Sequence, residues 1–336
     1  MPLQIVSLVP EGAPSSLYRS FIPMQALALS GHRVHVEERN ELGDPAQLRD
    51  VDVVHMFRLM GPGVEQFTRQ LRDDGVAVVW DNDFDVSSAP ADHPVGVAVA
   101  EAGIERELLA AEQAMLALAT LVTVPTAELA ERYRAAGAAE VEVLPNLLPP
   151  QFQRRGQAGA DTTTIGYAAM QEHAWDYERV GAATALRELL EQRPELRLLA
   201  IGLDLGIDDE RCEQLPWQPY DDLPALLSRC DVALAPLADV PFNRTRSNVK
   251  LKEYAACGVP WLASPVGEYA QLGQEHGGRH VADGDWVEQI GQLLDAPAAR
   301  QRLADAGRGW TDGNCATSHT QVLERIFARA DDLSDY

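Results

Sequence analysis

The chain has 336 residues, 46% of them hydrophobic, and a formal net charge of −23. Its length exceeds one ordinary doubly wound core, so two domains are expected. The charge argues against nucleic acid, which needs a basic face for its phosphates, and against docking on an anionic membrane surface. No apolar run approaches the roughly 18 residues of a membrane span, and LQIVSLV (3–9) begins a strand with no leader-like core before it. A cytoplasmic location is the expectation. Cys212, Cys230, Cys257 and Cys315 lie far apart without metal-ligand spacing and read as free thiols.

In the first half, short β-branched runs alternate with amphipathic stretches. LQIVSLV, RVHVE (33–37), VDVVHMF (51–57), VAVVW (76–80) and LVTV (121–124) read as strands. Helical patterns lie between most of them, over about 17–29, 63–73 and 101–119. VEVLPNLLPPQF (141–152) closes this half, and the polar, small-residue stretch QRRGQAGADTT that follows reads as a linker. The alternation then restarts with TTIGYAA (163–169), a helix from about Asp176 to Gln192, LRLLAIG (196–202), a helix over 221–229, DVALAPL (231–237), PWLAS (260–264), RHVA (279–282) and terminal helices. This pattern predicts an α/β fold of two Rossmann-like, doubly wound halves facing across a cleft. The expected division is 1–150, 151–311, and a terminal helix within 312–336 that crosses back to the first half. Ligands of such sheets bind beyond the carboxyl ends of the strands.

One helix stands apart. Lys250 and Lys252 are the only lysines; the other 26 basic residues are arginine. Ser247 is placed to cap this helix, and Gly258-Val259-Pro260 ends it. A capping box wants Glu or Gln three residues after Ser247, where Lys250 stands. A cation in the first turn opposes the helix dipole and costs roughly 0.3–1 kcal/mol unless an anion sits there. Arg244 and Arg246 just ahead add to that cost, so the cluster points to a bound anion. Ser247, Lys250 and Glu253 share one stripe of the helix: phosphates could meet Lys250 and backbone N–H groups, and Glu253 could accept ribose hydroxyls. Lys252 reads as a solvated neighbour.

Ser-x-x-Lys-x-x-Glu-Tyr, Ala-Ala-Cys-Gly-Val-Pro and Ser-Pro-Val-Gly-Glu-Tyr together resemble the donor site of group 1 retaining glycosyltransferases. The likeness extends to IGYAAMQEHAWDYERV, with His173 and Asp176 at the family's His-x-x-Asp spacing, and to LPWQPYDDLPALLSRCDVALAPL. In the first half, GHRVHV and LVTVPTAELAERYRAAG resemble family segments as well. The resemblance implies the GT-B fold and a nucleoside-diphosphate sugar as donor. It implies retention of anomeric configuration, with the leaving diphosphate neutralised by side chains in place of a metal. His173, Arg246 and Lys250 would carry the chemistry. Asn243, Arg244, Ser247, Asn248, Glu253, Trp217 and the Gly267, Glu268, Tyr269 loop would hold the nucleotide sugar. The family usually has a second Glu eight residues before Glu253; here that position is Thr245.

On the acceptor side the candidates are Tyr18 and Arg19 after the first strand, Asp81 and Asp83 at the end of the fourth, and His93. Asp81, Asp83 and Asp85 alternate as in a metal site but lack the glycine of a calcium loop; no metal or other cofactor is expected. No Gly-x-Gly-x-x-Gly after a strand, P-loop, HExxH or GxSxG is present, against dehydrogenase, NTPase, zinc protease and hydrolase readings. Expected partners are a sugar-nucleotide donor and a small-molecule or glycan acceptor, with a homodimer entertained. The Ala/Arg-rich, Lys-poor composition suggests a GC-rich bacterial gene, leaving specialised-metabolite and cell-envelope glycosylation both open. Alternative readings are an isomerase or phosphorylase on the same fold, and a catalytically silent nucleotide-sugar-binding subunit.

Overall fold

The computed structural model describes residues 2–39, 41–149, 152 and 163–334. The linker expected over 153–163 falls, apart from Thr163, outside them. The first half builds β1 (Gln4–Val9), α1 (Ile22–Leu29), β2 (Arg33–Glu38), β3 (Val53–Phe57), α2 (Pro62–Asp73) and β4 (Ala77–Asp81). It continues with α3 (Pro94–Ala102), α4 (Glu105–Leu118), β5 (Leu121–Val124), α5 (Ala127–Ala135) and β6 (Val141–Val143). Its six strands pair in the order β2-β1-β3-β4-β5-β6, all parallel. β3, β4 and β5 are buried along their whole length, as a sheet covered on both faces requires of its central strands.

The second half begins with β7 (Thr163–Ala168), α6 (Ala174–Arg179), α7 (Ala182–Gln192), β8 (Leu196–Ile201), β9 (Cys212–Leu215), α8 (Leu223–Leu227) and β10 (Val232–Ala235). There follow α9 (Pro241–Arg244), α10 (Val249–Ala256), β11 (Trp261–Ala263), β12 (Gly278–His280), α11 (Trp286–Leu294), α12 (Pro297–Thr311) and α13 (Thr320–Ser334). The parallel order is β12-β11-β10-β7-β8-β9. Leu323, Ile326 and Phe327 of α13 are buried in the core that holds Ile5, Leu27 and Val79 of the first sheet. Among the described residues no helix is long and apolar enough to cross a membrane.

Helix boundaries follow local chemistry. Thr126 caps α5, its hydroxyl accepting from Leu129 N at 3.2 Å, with Glu128 in the first turn and Arg132 and Arg134 in the last, each sign suiting the dipole. The helix expected over 101–119 is instead two, α3 and α4, because Gly103 at φ 65° ends the first. Gly181, at φ 83°, likewise divides the expected 176–192 helix into α6 and α7. The sequence reading missed β9: CEQL has no β-branched or aromatic residue, and as an edge strand it borrows its regularity from β8.

Arg19 and Asp81, expected at the acceptor, lie fully buried beneath the cleft. Arg19 Nε reaches Asp81 Oδ1 at 2.9 Å and Nη2 reaches Oδ2 at 2.6 Å; Thr123 Oγ1 adds a donor at 2.6 Å. Burial alone would raise the Asp81 pKa, but the guanidinium and the neighbouring donors bring it down to about 2. Stability from this carboxylate is therefore complete above its unfolded value and is lost as pH falls through about 2. Asp81→Asn should cost about 3–5 kcal/mol in urea unfolding, since it strands a buried guanidinium, whereas joint replacement of Arg19 and Asp81 by apolar residues should recover much of that.

Candidate functional site

The cleft opens where β7 and β10 end opposite β1, β3 and β4, and holds about 1140 Å³ of empty space that is continuous with solvent. Its second-half wall is α10 with the loop before it. Asn248, not Ser247, occupies the N-cap position, and no side chain caps the helix. The Ser247 hydroxyl instead accepts from Asn146 Nδ2 at 3.0 Å, so the first turn keeps uncapped N–H groups beside Lys250.

Lys250 donates through Nζ to the Ala168 carbonyl at the end of β7 and stands 5.6 Å over the Tyr167 ring. Burial lowers its pKa to about 8. Glu253, one turn along, is 6% exposed and accepts from the Tyr18 hydroxyl across the cleft; burial raises its pKa. Tyr18 packs edge-on against Tyr220 at 5.5 Å, and Tyr220 likewise against Trp217 at 5.8 Å. The ring row leads away from Glu253 along one side of the cleft.

Arg246 places Nη1 2.6 Å from His173 Nε2, with its guanidinium 4.7 Å over Phe242. A guanidinium only donates, so Nε2 accepts and the ring proton sits on Nδ1. That nitrogen is 3.3 Å from Asp176 Oδ2. Burial and the Arg246 charge lower the His173 pKa to about 4, so the ring is neutral around pH 7. Asp176 is fully buried and accepts from Asn243 Nδ2 at 2.6 Å and Ala238 N at 3.0 Å. Asn243 thus acts from beneath the site.

Several expected positions fall elsewhere. Arg244 turns away from the cleft and pairs with Asp239 at 2.7 Å. Gly267, at φ 54°, supports the site indirectly: a Cβ there would lie 2.6 Å from the Arg244 carbonyl oxygen. Glu268 is half-buried, its raised pKa due first to burial, with the Ala127 N–H and Lys252 acting against the rise. His93 is buried as the N-cap of α3, packed edge-on against Trp175 at 5.1 Å and tilted against Phe242 at 4.9 Å. Lys252 is no solvated neighbour; it is 3% exposed and donates to the Asn146 carbonyl at 2.9 Å. Thr245, in place of the family's Glu, is fully buried and bonds Phe242 O at 2.8 Å, while its carbonyl accepts from Thr126 at 3.1 Å. The cleft gathers His173, Arg246, Ser247, Lys250, Glu253, Trp217, Tyr269, Tyr18 and Asp83 from the sequence reading.

Sequence reasoning missed Arg58, Asn146 and Glu172, which also line the cleft. Arg58 directly follows β3, and the rule that ligands meet the loops after strands would have found it. Among the described residues no group of three or more His, Cys, Asp or Glu is placed to hold a metal.

Residues 179–323 match the family model described as glycosyl transferase-like. A D-inositol 3-phosphate glycosyltransferase of Salinispora tropica is 33% identical over 117 residues, 34% of this chain and 23% of that relative. The match thus spans about a quarter of the relative's length. Solved structures cover nearly the whole chain. HepE of Anabaena in complex with UDP-glucose superposes with a TM-score of 0.67 at 14% identity, covering 97% of this chain and 99% of that one. A sucrose-phosphate synthase of Thermosynechococcus elongatus gives 0.67 at 18% identity, covering 97% and 99%. An alpha-glucosyltransferase in complex with UDP gives 0.70 at 9% identity, covering 96% and 99%. At these identities the likeness establishes the fold, which is GT-B.

The Asp176 cluster makes a measurable contrast with exposed pairs. Asp176→Ala strands the Asn243 and Ala238 donors and should cost about 2–4 kcal/mol in urea unfolding. Asp239→Ala, breaking an exposed pair with Arg244, should cost under about 1 kcal/mol.

Proposed function

We propose that this chain, whose residues 179–323 match the family model described as glycosyl transferase-like and whose fold is GT-B, transfers a glycosyl unit from a nucleoside-diphosphate sugar to an alcohol. One observation carries the reading. Arg246 and Lys250 converge at the uncapped first turn of α10, and among the described residues neither has a carboxylate within ion-pair distance. In a chain of net charge −23, two such cations beside free N–H groups make a diphosphate site. UDP is the first candidate, because HepE and the alpha-glucosyltransferase were solved with UDP-glucose and UDP.

In this reading the leaving diphosphate takes the place of the Ala168 carbonyl as partner to Lys250, and Arg246 meets it from the other side. Charge developing on the leaving oxygen is stabilised by groups already in position. Glu253 exchanges the Tyr18 hydroxyl for the ribose hydroxyls, and Trp217 borders the base. Neutral His173 holds Arg246 and lies beside the donor sugar. Tyr18 and Asp83 face the acceptor from the first domain. Transfer with retention and without a metal belongs to the same proposal.

The test is a melting-temperature screen against UDP, GDP, ADP and dTDP, followed by transfer assays with the best donor. A raised melting temperature with one nucleotide, transfer that survives chelator, and an α-linked product from an α-linked donor are expected. Nucleotide binding with no turnover across a broad acceptor panel would instead indicate a silent binding subunit. The pH dependence is a separate check. Above about 8 the empty site loses the Lys250 charge, so nucleotide affinity should fall between pH 7 and 9, with proton uptake on binding. Lys250→Arg should flatten that fall.

A further inference from the structure

The first domain holds a second cavity with about 740 Å³ of empty space. Met60, Val86, Val99, Leu108 and Leu109 wall it, and the space exists because Ala89, Ala91, Gly96 and Ala100 leave it unfilled. Gly96 cannot grow: a Cβ there would meet the Pro90 carbonyl oxygen at 2.2 Å. α3 is composed largely of Val and Ala, yet none of its residues is fully buried. Among the described residues, Val97, Ile104 and Leu109 are three of the five exposed large hydrophobics, and all lie in α3, α4 or the turn between them. Such clustering of apolar surface marks a binding region.

The cavity adjoins the cleft. Three separate segments each place one side in the cleft and the next residues in the cavity. Arg58 faces the cleft and Met60 the cavity; Asp83 and Phe84 face the cleft, Val86 and Ser87 the cavity; Val95 and Gly96 divide likewise. At this shared wall stands Arg58, at φ 53° the one non-glycine residue with positive φ among those described. Its guanidinium lies 4.1 Å over the Phe84 ring and pairs with Asp83 at 2.5 Å. Backbone strain maintained beside a ligand space points to use there. Among the described residues, the charged residues lining the cavity are Glu105 and Glu112, with no basic residue. Glu112 is held by the Tyr133 hydroxyl at 2.7 Å and the Asn82 amide at 3.4 Å. Glu105 at the exposed mouth and half-buried Glu112 against the apolar wall disfavour an anionic guest.

We propose that this cavity binds the apolar body of the acceptor, an uncharged or cationic alcohol, whose hydroxyl reaches the cleft past Arg58 and Asp83. The inference rests on the transfer reading above and narrows its acceptor. The acceptor named in the inositol relative carries a phosphate; this cavity selects against such a charge.

The experiment uses the full chain saturated with UDP and two matched fluorescent probes: neutral N-phenylnaphthylamine, and anilinonaphthalene sulfonate, the same aryl body with a negative charge. The neutral probe should bind at least about tenfold more tightly. Ala100→Trp, which fills the cavity, should weaken the neutral probe by about tenfold or more and leave the UDP melting shift unchanged. Leu109→Glu at the exposed rim guards against a folding defect from the indole and should weaken the neutral probe as well. Any alcohol found to accept sugar should displace that probe. Equal affinity for the two probes, neutral-probe binding unaffected by both substitutions, or turnover of an alcohol that does not displace the probe would overturn the inference. A wild type whose melting temperature rises with none of UDP, GDP, ADP and dTDP would defeat the donor-site reading itself, which separates the two failures.

Discussion

Asn146 is the joint on which the rest of the cleft depends. Its side-chain oxygen accepts from Arg19 Nη1 at 2.8 Å, its amide donates to Ser247 at 3.0 Å, and its carbonyl accepts from Lys252 at 2.9 Å. Arg19 is in turn locked to Asp81 at the end of β4. One asparagine therefore connects the buried ion pair of the first sheet to the start of α10 in the second. Arg19, Asp81, Asn146 and Lys252 are buried, Ser247 is half-buried, and each has a hydrogen-bond partner within the network, which is the condition for such networks to stabilise rather than cost. The helix that carries Lys250 and Glu253 is thereby held at a set distance from Tyr18, close enough for the Tyr18 hydroxyl to reach the Glu253 carboxylate.

A division of labour follows within a few residues. Lys252 and Ser247 are taken up by the joint, Arg244 by a surface pair, and Asn243 by the support of Asp176. The charged groups of this segment left facing the cleft are Arg246, Lys250 and Glu253, a cation pair and a carboxylate one helical turn along from Lys250. Their electrostatic setting is local: the molecule as a whole is strongly acidic, while this helix end concentrates positive charge from side chains and backbone together.

The alternation of strands and helices was legible from the chain because β3, β4 and β10 are short, mostly apolar runs, broken only by His55 and the terminal Asp81, and shortness marks a buried strand where periodicity alone cannot. β9 was not, since an edge strand with two exposed positions carries little pattern of its own. In the site, Lys250 and Glu253 were legible because a helix fixes which residues share a stripe. The fates of Arg19, Asp81 and Lys252 were not, because a charged residue in sequence looks solvated until a partner from a distant segment appears: Leu144 and Asn146 for Arg19, Asn146 for Lys252. Arg58 escaped for a different reason; its distinguishing mark is a backbone angle, which no residue type announces in advance.

The central claim is that phosphates, more than base or sugar, are what α10 recognises. Calorimetric titration of the wild type and of Lys250→Ala with UDP and with uridine addresses it directly. Loss of most UDP affinity in the variant is expected, about tenfold or more, with uridine binding weakly and equally to both proteins. UDP affinity unchanged by Lys250→Ala, or uridine binding as tightly as UDP, would contradict it.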